Sequence, residues 1–179
     1  MSDHYDRLGL PRRFAIDAAE LERQYLARSR AVHPDFHAAG SSADQSASLE
    51  LSAAVNEAYN TLRDPFTRAD YLLTLEGGPS ATEHKQVPQA FLTEMLDLRE
   101  RVEDARGGET PCDAALASLG DEFAVRYDAQ VSEIAGRFAE LESLPSDGPD
   151  RSAIHLQIRT LLNAAKYLKG LIRDLHADG

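Results

Sequence analysis

The chain has 179 residues, a formal net charge of −11 and a sequence pI near 4.9. So acidic a protein is poorly matched to nucleic acid or an anionic membrane as its main partner, and no run approaches the roughly 18 apolar residues that a membrane span needs. A single cysteine, Cys112, excludes an intramolecular disulfide and a cysteine-rich metal site, and no charged-then-apolar stretch precedes Asp3, so a cytoplasmic, reducing setting is expected.

From the N-terminus onward the patterning is helical. Asp17-Ala18-Ala19-Glu20 reads as a capping box, with Asp17 accepting from free backbone N–H groups and Glu20 reaching back. Leu21, Tyr25 and Val32 mark the apolar face of the helix that follows. It should stop near Val32, because Pro34 disfavours helical geometry at the residue before it and has no N–H to donate. His33-Pro34-Asp35 then forms a corner that displays an imidazole and a carboxylate. Taken alone, the tripeptide suits either a helix-ending turn with Asp35 as a cap or a recognition corner. Gly40-Ser41-Ser42 follows as a flexible link. Leu51, Val55, Ala58, Tyr59 and Leu62 recur on one face of a second long helix, so the two helices make an antiparallel hairpin. Pro65 suits the first turn of a further helix capped by Asp64 and ending near Glu76.

Gly77-Gly78-Pro79-Ser80, running on to about Val87, reads as a linker. Beyond it, Thr110-Pro111 and Pro149 fit helix starts, while Gly107-Gly108 and the stretch 145–148 fit turns, giving helices over about 88–106, 111–144 and 149–176. In the last of these, Ile154, Ile158, Leu161, Ala165, Leu168, Ile172 and Leu175 step by fours and threes, a seam for nearly parallel packing.

At about 100° per residue from Phe91, the residues Met95, Leu98, Val102 and Ala105 share one direction, whereas Leu92 and Leu96 fall near 100° and 140°. Those two leucines have no obvious core to enter. They are either isolated surface leucines, which are common, or an interface. Tyr167 likewise sits off the seam of its helix, an apolar ring with a polar tip.

Charge is uneven. Residues 1–75 carry 8 basic and 11 acidic side chains; residues 76–179 carry 11 and 19. Within 21–32 the sign reverses, because Arg23, Arg28 and Arg30 face only Glu22. That strip suits either a solvated helix face or docking to an acidic partner. His33 and His37 have the spacing of two metal ligands on one helix face, but Pro34 breaks the face between them. No glycine-rich phosphate loop or nucleophile–base pair is visible. No metal, no cofactor and no enzymatic chemistry is expected.

The start from Asp3 to Pro11, a helix, His33-Pro34-Asp35 and a second long helix together resemble a J-domain. The runs from Val55 to Leu73 and from Ala90 to Glu100 resemble the HscB-type co-chaperones of iron–sulfur cluster assembly more than general DnaJ proteins, and the likeness extends over the whole chain. It implies an all-α fold: an N-terminal J-domain at 1–75, a linker at 76–87 and a C-terminal three-helix client-binding bundle at 88–179. It implies that His33, Pro34 and Asp35, with Tyr25, Arg28 and Arg30, meet a DnaK/HscA-class chaperone and stimulate its ATP hydrolysis. It implies that Leu92, Leu96, Asp97, Arg99, Glu100 and Tyr167 bind an IscU-type iron–sulfur scaffold protein. Departures are visible too: Leu26 and Ala27 stand where general J-domains carry basic residues, Phe36 where relatives often have lysine, and Thr93 where an apolar residue is common. The alternative is a J-protein that recruits a DnaK-class chaperone to a different client.

Overall fold

The computed structural model describes residues 2–32, 42–107, 113–145 and 148–176. Among the described residues there are seven α-helices and no strand: α1 (His4–Leu8), α2 (Ala18–Ala31), α3 (Ser42–Arg63), α4 (Pro65–Leu75), α5 (Gln89–Gly107), α6 (Asp113–Ser143) and α7 (Asp150–His176). The expected all-α architecture is what the described residues adopt. Two compact units result, Met1–Leu72 and Leu73–Gly179.

In the first unit the reciprocal capping box belongs to α1. The Asp3 carboxylate accepts from the Asp6 N–H (2.8 Å) and Asp6 returns to the Asp3 N–H (3.4 Å). At α2 the expected box is only half made. Asp17 accepts from the Ala19 N–H (3.1 Å), but Glu20 pairs with Arg23 and accepts from the Gln24 amide (2.7 Å). Two donors along the helix outcompete the backward reach.

The helix α3 packs on α1 and α2, burying Tyr5, Leu8, Leu21, Val55, Ala58 and Leu62. Leu51, expected on this face, is 56 % exposed, and the buried position near the start of α3 goes to Ser48. The Ser48 hydroxyl donates to the Val32 carbonyl at the end of α2 (2.8 Å), so there only the line that meets α2 is covered. Asp64 caps α4 by accepting from the Thr67 N–H (2.9 Å). Gly77, at φ +77°, closes α4: its N–H donates to Thr74 and the Gly78 N–H to Leu73, the two bonds of a left-handed glycine cap.

In the second unit α7 packs along α6 and α5 packs on both. Met95, Leu98 and Val102 of α5 meet Leu119 and Phe123 of α6 and Leu168 of α7 in one buried cluster. The seam of α7 is wider than its period implies. Leu161 is only partly buried, while Leu162 is fully buried, and His155, Arg159 and Asn163 are buried beside it. The extra covered arc lies where the segment 79–87 runs over the helix.

Near one end of α7, Arg151 pairs with Glu76 and donates to the Leu141 carbonyl (2.9 Å). His155 is buried one turn on, its Nε2 without a hydrogen-bond partner among the described residues. Desolvation, reinforced by Arg151 and opposed by Glu76, pushes the imidazole below the ordinary histidine value of 6.5. A histidine depressed in the folded state stabilises fully above the unfolded value, and that stability is lost as pH falls below it, because the unfolded chain binds the proton first. The difference in melting temperature between His155→Leu and the parent should therefore move in the variant's favour as pH drops from 7 through about 6.5 and lower. Thermal unfolding across that range checks it; a pH-independent difference would contradict the assignment.

Candidate functional site

The residues anticipated for the chaperone-facing surface separate into two groups. His33, Pro34 and Asp35 lie outside the described residues. Tyr25, Arg28 and Arg30 are on α2. Tyr25 stacks on Tyr59 of α3 (centroids 4.1 Å apart, 17° between planes) and its hydroxyl donates to Asn56 Oδ1 (3.0 Å). It is thus part of the hairpin's own packing, half-buried, with its polar tip already engaged. Arg28 is exposed and on Tyr25's side of the helix, about 60° round. It reaches toward Gly9, where its guanidinium stands 3.1 Å from the place a Cβ would occupy. Arg30 is exposed about 140° from Tyr25, on a different side. Tyr25 and Arg28 thus share one side of α2, and Arg30 lies on another. Leu26, the apolar substitute for a basic residue, is 45 % exposed.

On the C-terminal unit, four of the six anticipated scaffold-facing residues converge. Leu92, Leu96 and Arg99 of α5 and Tyr167 of α7 line one groove of about 930 Å³. Leu92 is half-buried, whereas Leu96 is 67 % and Tyr167 52 % exposed. The floor is given by Met95, buried in the core cluster, and by Leu171. The Tyr167 ring meets Phe91 edge-on at 6.4 Å, which anchors its apolar body and leaves its edge to the groove. Asp97 and Glu100 are exposed on α5 but do not line the groove. They project about 240° and 180° from Phe91, beyond the arc near 80° to 140° that holds Arg99, Leu92 and Leu96.

The third wall was not anticipated. The segment read as a linker lies strapped along α7. Arg159 Nε donates to the Pro79 carbonyl (2.8 Å), and Asn163 Nδ2 donates to the carbonyls of His84 (2.9 Å) and Gln86 (3.1 Å). His84 Nε2 and Thr160 Oγ1 are 3.2 Å apart. Within the strap, Ser80 donates its N–H to Glu83 (2.7 Å) and the Glu83 N–H returns to the Ser80 hydroxyl (3.3 Å), closing one turn. Hydrogen bonding from the Ser80 N–H, and then from the Ser80 hydroxyl, holds the Glu83 carboxyl below its usual range. The strap thereby presents Ala81, Thr82, Lys85 and Val87 to the groove. A signal for it exists in the sequence: His155, Arg159 and Asn163 recur every fourth residue on α7, a polar line beside an apolar seam that implies a polar segment lying on it.

Among the described residues no group of three or more histidine, cysteine, aspartate or glutamate side chains is arranged to hold a metal ion, and no helix is long and apolar enough to cross a membrane.

Comparison with known proteins covers both units. Residues 3–71 match the DnaJ domain family and residues 87–176 the HSCB C-terminal oligomerisation domain family. The co-chaperone protein HscB homolog of Burkholderia mallei (strain SAVP1) is 39 % identical over 153 residues, spanning 84 % of this chain and 81 % of that protein. The homolog from Chromobacterium violaceum is 46 % identical over 105 residues, 58 % of this chain and 60 % of its own. Among solved structures, chaperone HscB from Vibrio cholerae superposes with a TM-score of 0.79 at 26 % identity, covering 97 % of this chain and 95 % of that one. Human co-chaperone protein HscB has the same fold, with a TM-score of 0.81 at 23 % identity over 98 % of this chain and 81 % of its own.

The strap rests on Asn163, whose single amide satisfies two carbonyls. Asn163→Leu keeps the branching of the side chain but leaves both acceptors without that donor, which should destabilise the C-terminal unit by about 1–3 kcal/mol. Urea unfolding reads the loss. An unchanged midpoint would mean that the strap does not depend on these bonds.

Proposed function

The chain belongs to the HscB family of J-domain co-chaperones, and on that footing we propose that it captures an IscU-type iron–sulfur scaffold protein in the C-terminal groove and presents it to an HscA-type chaperone, whose ATP hydrolysis it stimulates. A co-chaperone role in iron–sulfur cluster assembly and a DnaK-class partner come with the family. The scaffold as cargo, the stimulation and the residues that carry each are what the proposal adds.

The observation behind it is the exposure of Leu96 and Tyr167 on two different helices that line one groove with Leu92. Burying a leucine or a comparable apolar side chain against a partner is worth about 1.5–3 kcal/mol. Two leucines and a tyrosine ring held in place by their own helices can therefore offset much of the freedom lost on association. Arg99 at the edge of the same groove adds direction rather than strength.

On the chaperone side, we assign contact to His33, Pro34 and Asp35 together with Arg28 and Arg30, with Tyr25 bracing α2 against α3. Pro34 restricts its own backbone torsion and that of His33, which lowers the entropy lost when the corner docks. The Asp35 carboxylate suits an arginine on the ATPase. No bond is made or broken on this protein. It acts by binding one conformation of the ATPase better than another, which shifts that enzyme's equilibrium. Carrying cargo and trigger on one polypeptide makes the second encounter intramolecular and raises its effective concentration.

The two surfaces should separate by mutation. Leu92→Ala with Leu96→Ala should weaken scaffold capture by about 100-fold while leaving scaffold-free stimulation of the ATPase in place. His33→Gln should do the reverse. Isothermal titration with purified scaffold and single-turnover ATP hydrolysis with purified chaperone make the two measurements. Scaffold binding unchanged in the leucine variant would sink the groove assignment, and stimulation unchanged in His33→Gln would remove the corner from the mechanism.

A further inference from the structure

The cations of the C-terminal unit are distributed in a way that its apolar groove alone does not require. Residues 73–179 hold eleven lysines and arginines against nineteen aspartates and glutamates. Most of the eleven are engaged. Arg101 grips Glu122 through its two terminal guanidinium nitrogens (3.0 and 2.7 Å). Arg126 bridges Glu94 and Glu122, and Arg137 pairs with Glu140. Arg151 pairs with Glu76 and Arg173 with Asp174. Arg106 donates to the Asp174 carbonyl and Arg159 to that of Pro79, while Lys169 also has a partner.

Three remain. Among the described residues, Lys85, Arg99 and Lys166 have neither a hydrogen bond nor an ion pair, and all three line the groove. They come from three separate elements: Lys85 from the strap, Arg99 from α5 and Lys166 from α7. Among the described residues that line it, the one acidic side chain, Asp174, is already paired with Arg173 (3.1 Å). The groove is therefore a cationic opening in an anionic unit.

From this convergence we infer that the groove recognises an acidic amphipathic segment, a partner helix or strand whose apolar ridge seats between Leu92, Leu96 and Tyr167 while flanking carboxylates reach Lys85, Arg99 and Lys166. The inference rests on the groove being the client site and specifies the chemistry of what enters it. Elsewhere on the unit an acidic segment meets net repulsion. Inside the groove it meets three unengaged cations, so charge sets both the place and the register of docking.

The test uses two fluorescent peptides of about 14 residues with leucines on one helical face, one carrying glutamate and the other lysine at the flanking positions, titrated with the full chain. The glutamate peptide should bind at least about tenfold more tightly at ~50 mM salt, and the gap should shrink to under about threefold at ~0.5 M. Lys85→Glu and Lys166→Glu should each remove most of the preference. Arg137→Glu, which changes net charge equally but lies outside the groove lining, should not. Equal binding of the two peptides, or an equal effect of Arg137→Glu, overturns the inference. Purified scaffold protein added as competitor separates the two levels. A glutamate preference that survives while scaffold fails to displace the peptide upholds acidic recognition and removes the scaffold as its occupant.

Discussion

The binding surface of the C-terminal unit depends on a matter of backbone hydrogen bonding. A segment without regular structure can lie on a helix only if the carbonyls it turns away from water find donors there. Arg159 and Asn163 are those donors, both nearly excluded from solvent, and between them they engage the carbonyls of Pro79, His84 and Gln86. Apolar side chains at these two positions would leave three acceptors without those partners and would favour release of the segment. Without the strap, α5 and α7 would form an ordinary surface furrow. With it, the furrow acquires a third wall and the only lysine the segment carries.

This explains why half of the groove can be read from the sequence and half cannot. Leu92 and Leu96 depart from the Phe91–Met95–Leu98 stripe by an angle that the period of one helix fixes, and Tyr167 leaves its seam in the same way. Both are local inferences, and both survive folding. The strap is held by side chains 77 to 80 residues away, while its own residues, Gly77-Gly78-Pro79-Ser80, carry only the composition of a loop. Leu51 shows the complementary failure. Helical period states which residues share a face but not how far along the helix that face is covered, and near the start of α3 the covered position passes to Ser48. Glu20 adds a third kind of miss. Its spacing from Asp17 permits a capping box, but Arg23 and Gln24 lie within reach on the same helix and take the carboxylate instead.

The N-terminal unit divides its labour differently. Tyr25 is spent on the hairpin through its stack on Tyr59 and its bond to Asn56, and Arg23 on its pair with Glu20, which leaves Arg28 and Arg30 of α2 to meet a partner. With Leu26 and Ala27 in place of basic residues, and with Arg28 and Arg30 on different sides of the helix, the positive field along α2 is thin. Long-range attraction to an acidic surface scales with such a field, so association under the proposed function would lean on short-range fit at the corner more than on electrostatic steering.

Leaving three cations unengaged in a unit so rich in carboxylates is inexpensive. An exposed ion pair contributes only about 0–1 kcal/mol, so little folding stability is forgone when Lys85, Arg99 and Lys166 stand without one. A buried pair would be another matter, because breaking it strands a charge in a medium that cannot solvate it. At an open rim the same cations stay hydrated until a partner arrives, and displacing that water beside an apolar floor strengthens whatever ion pair then forms. The combination found here, two buried polar side chains, Arg159 and Asn163, holding the strap and exposed cations left free at its edge, separates the side chains that build the surface from those available to read a partner.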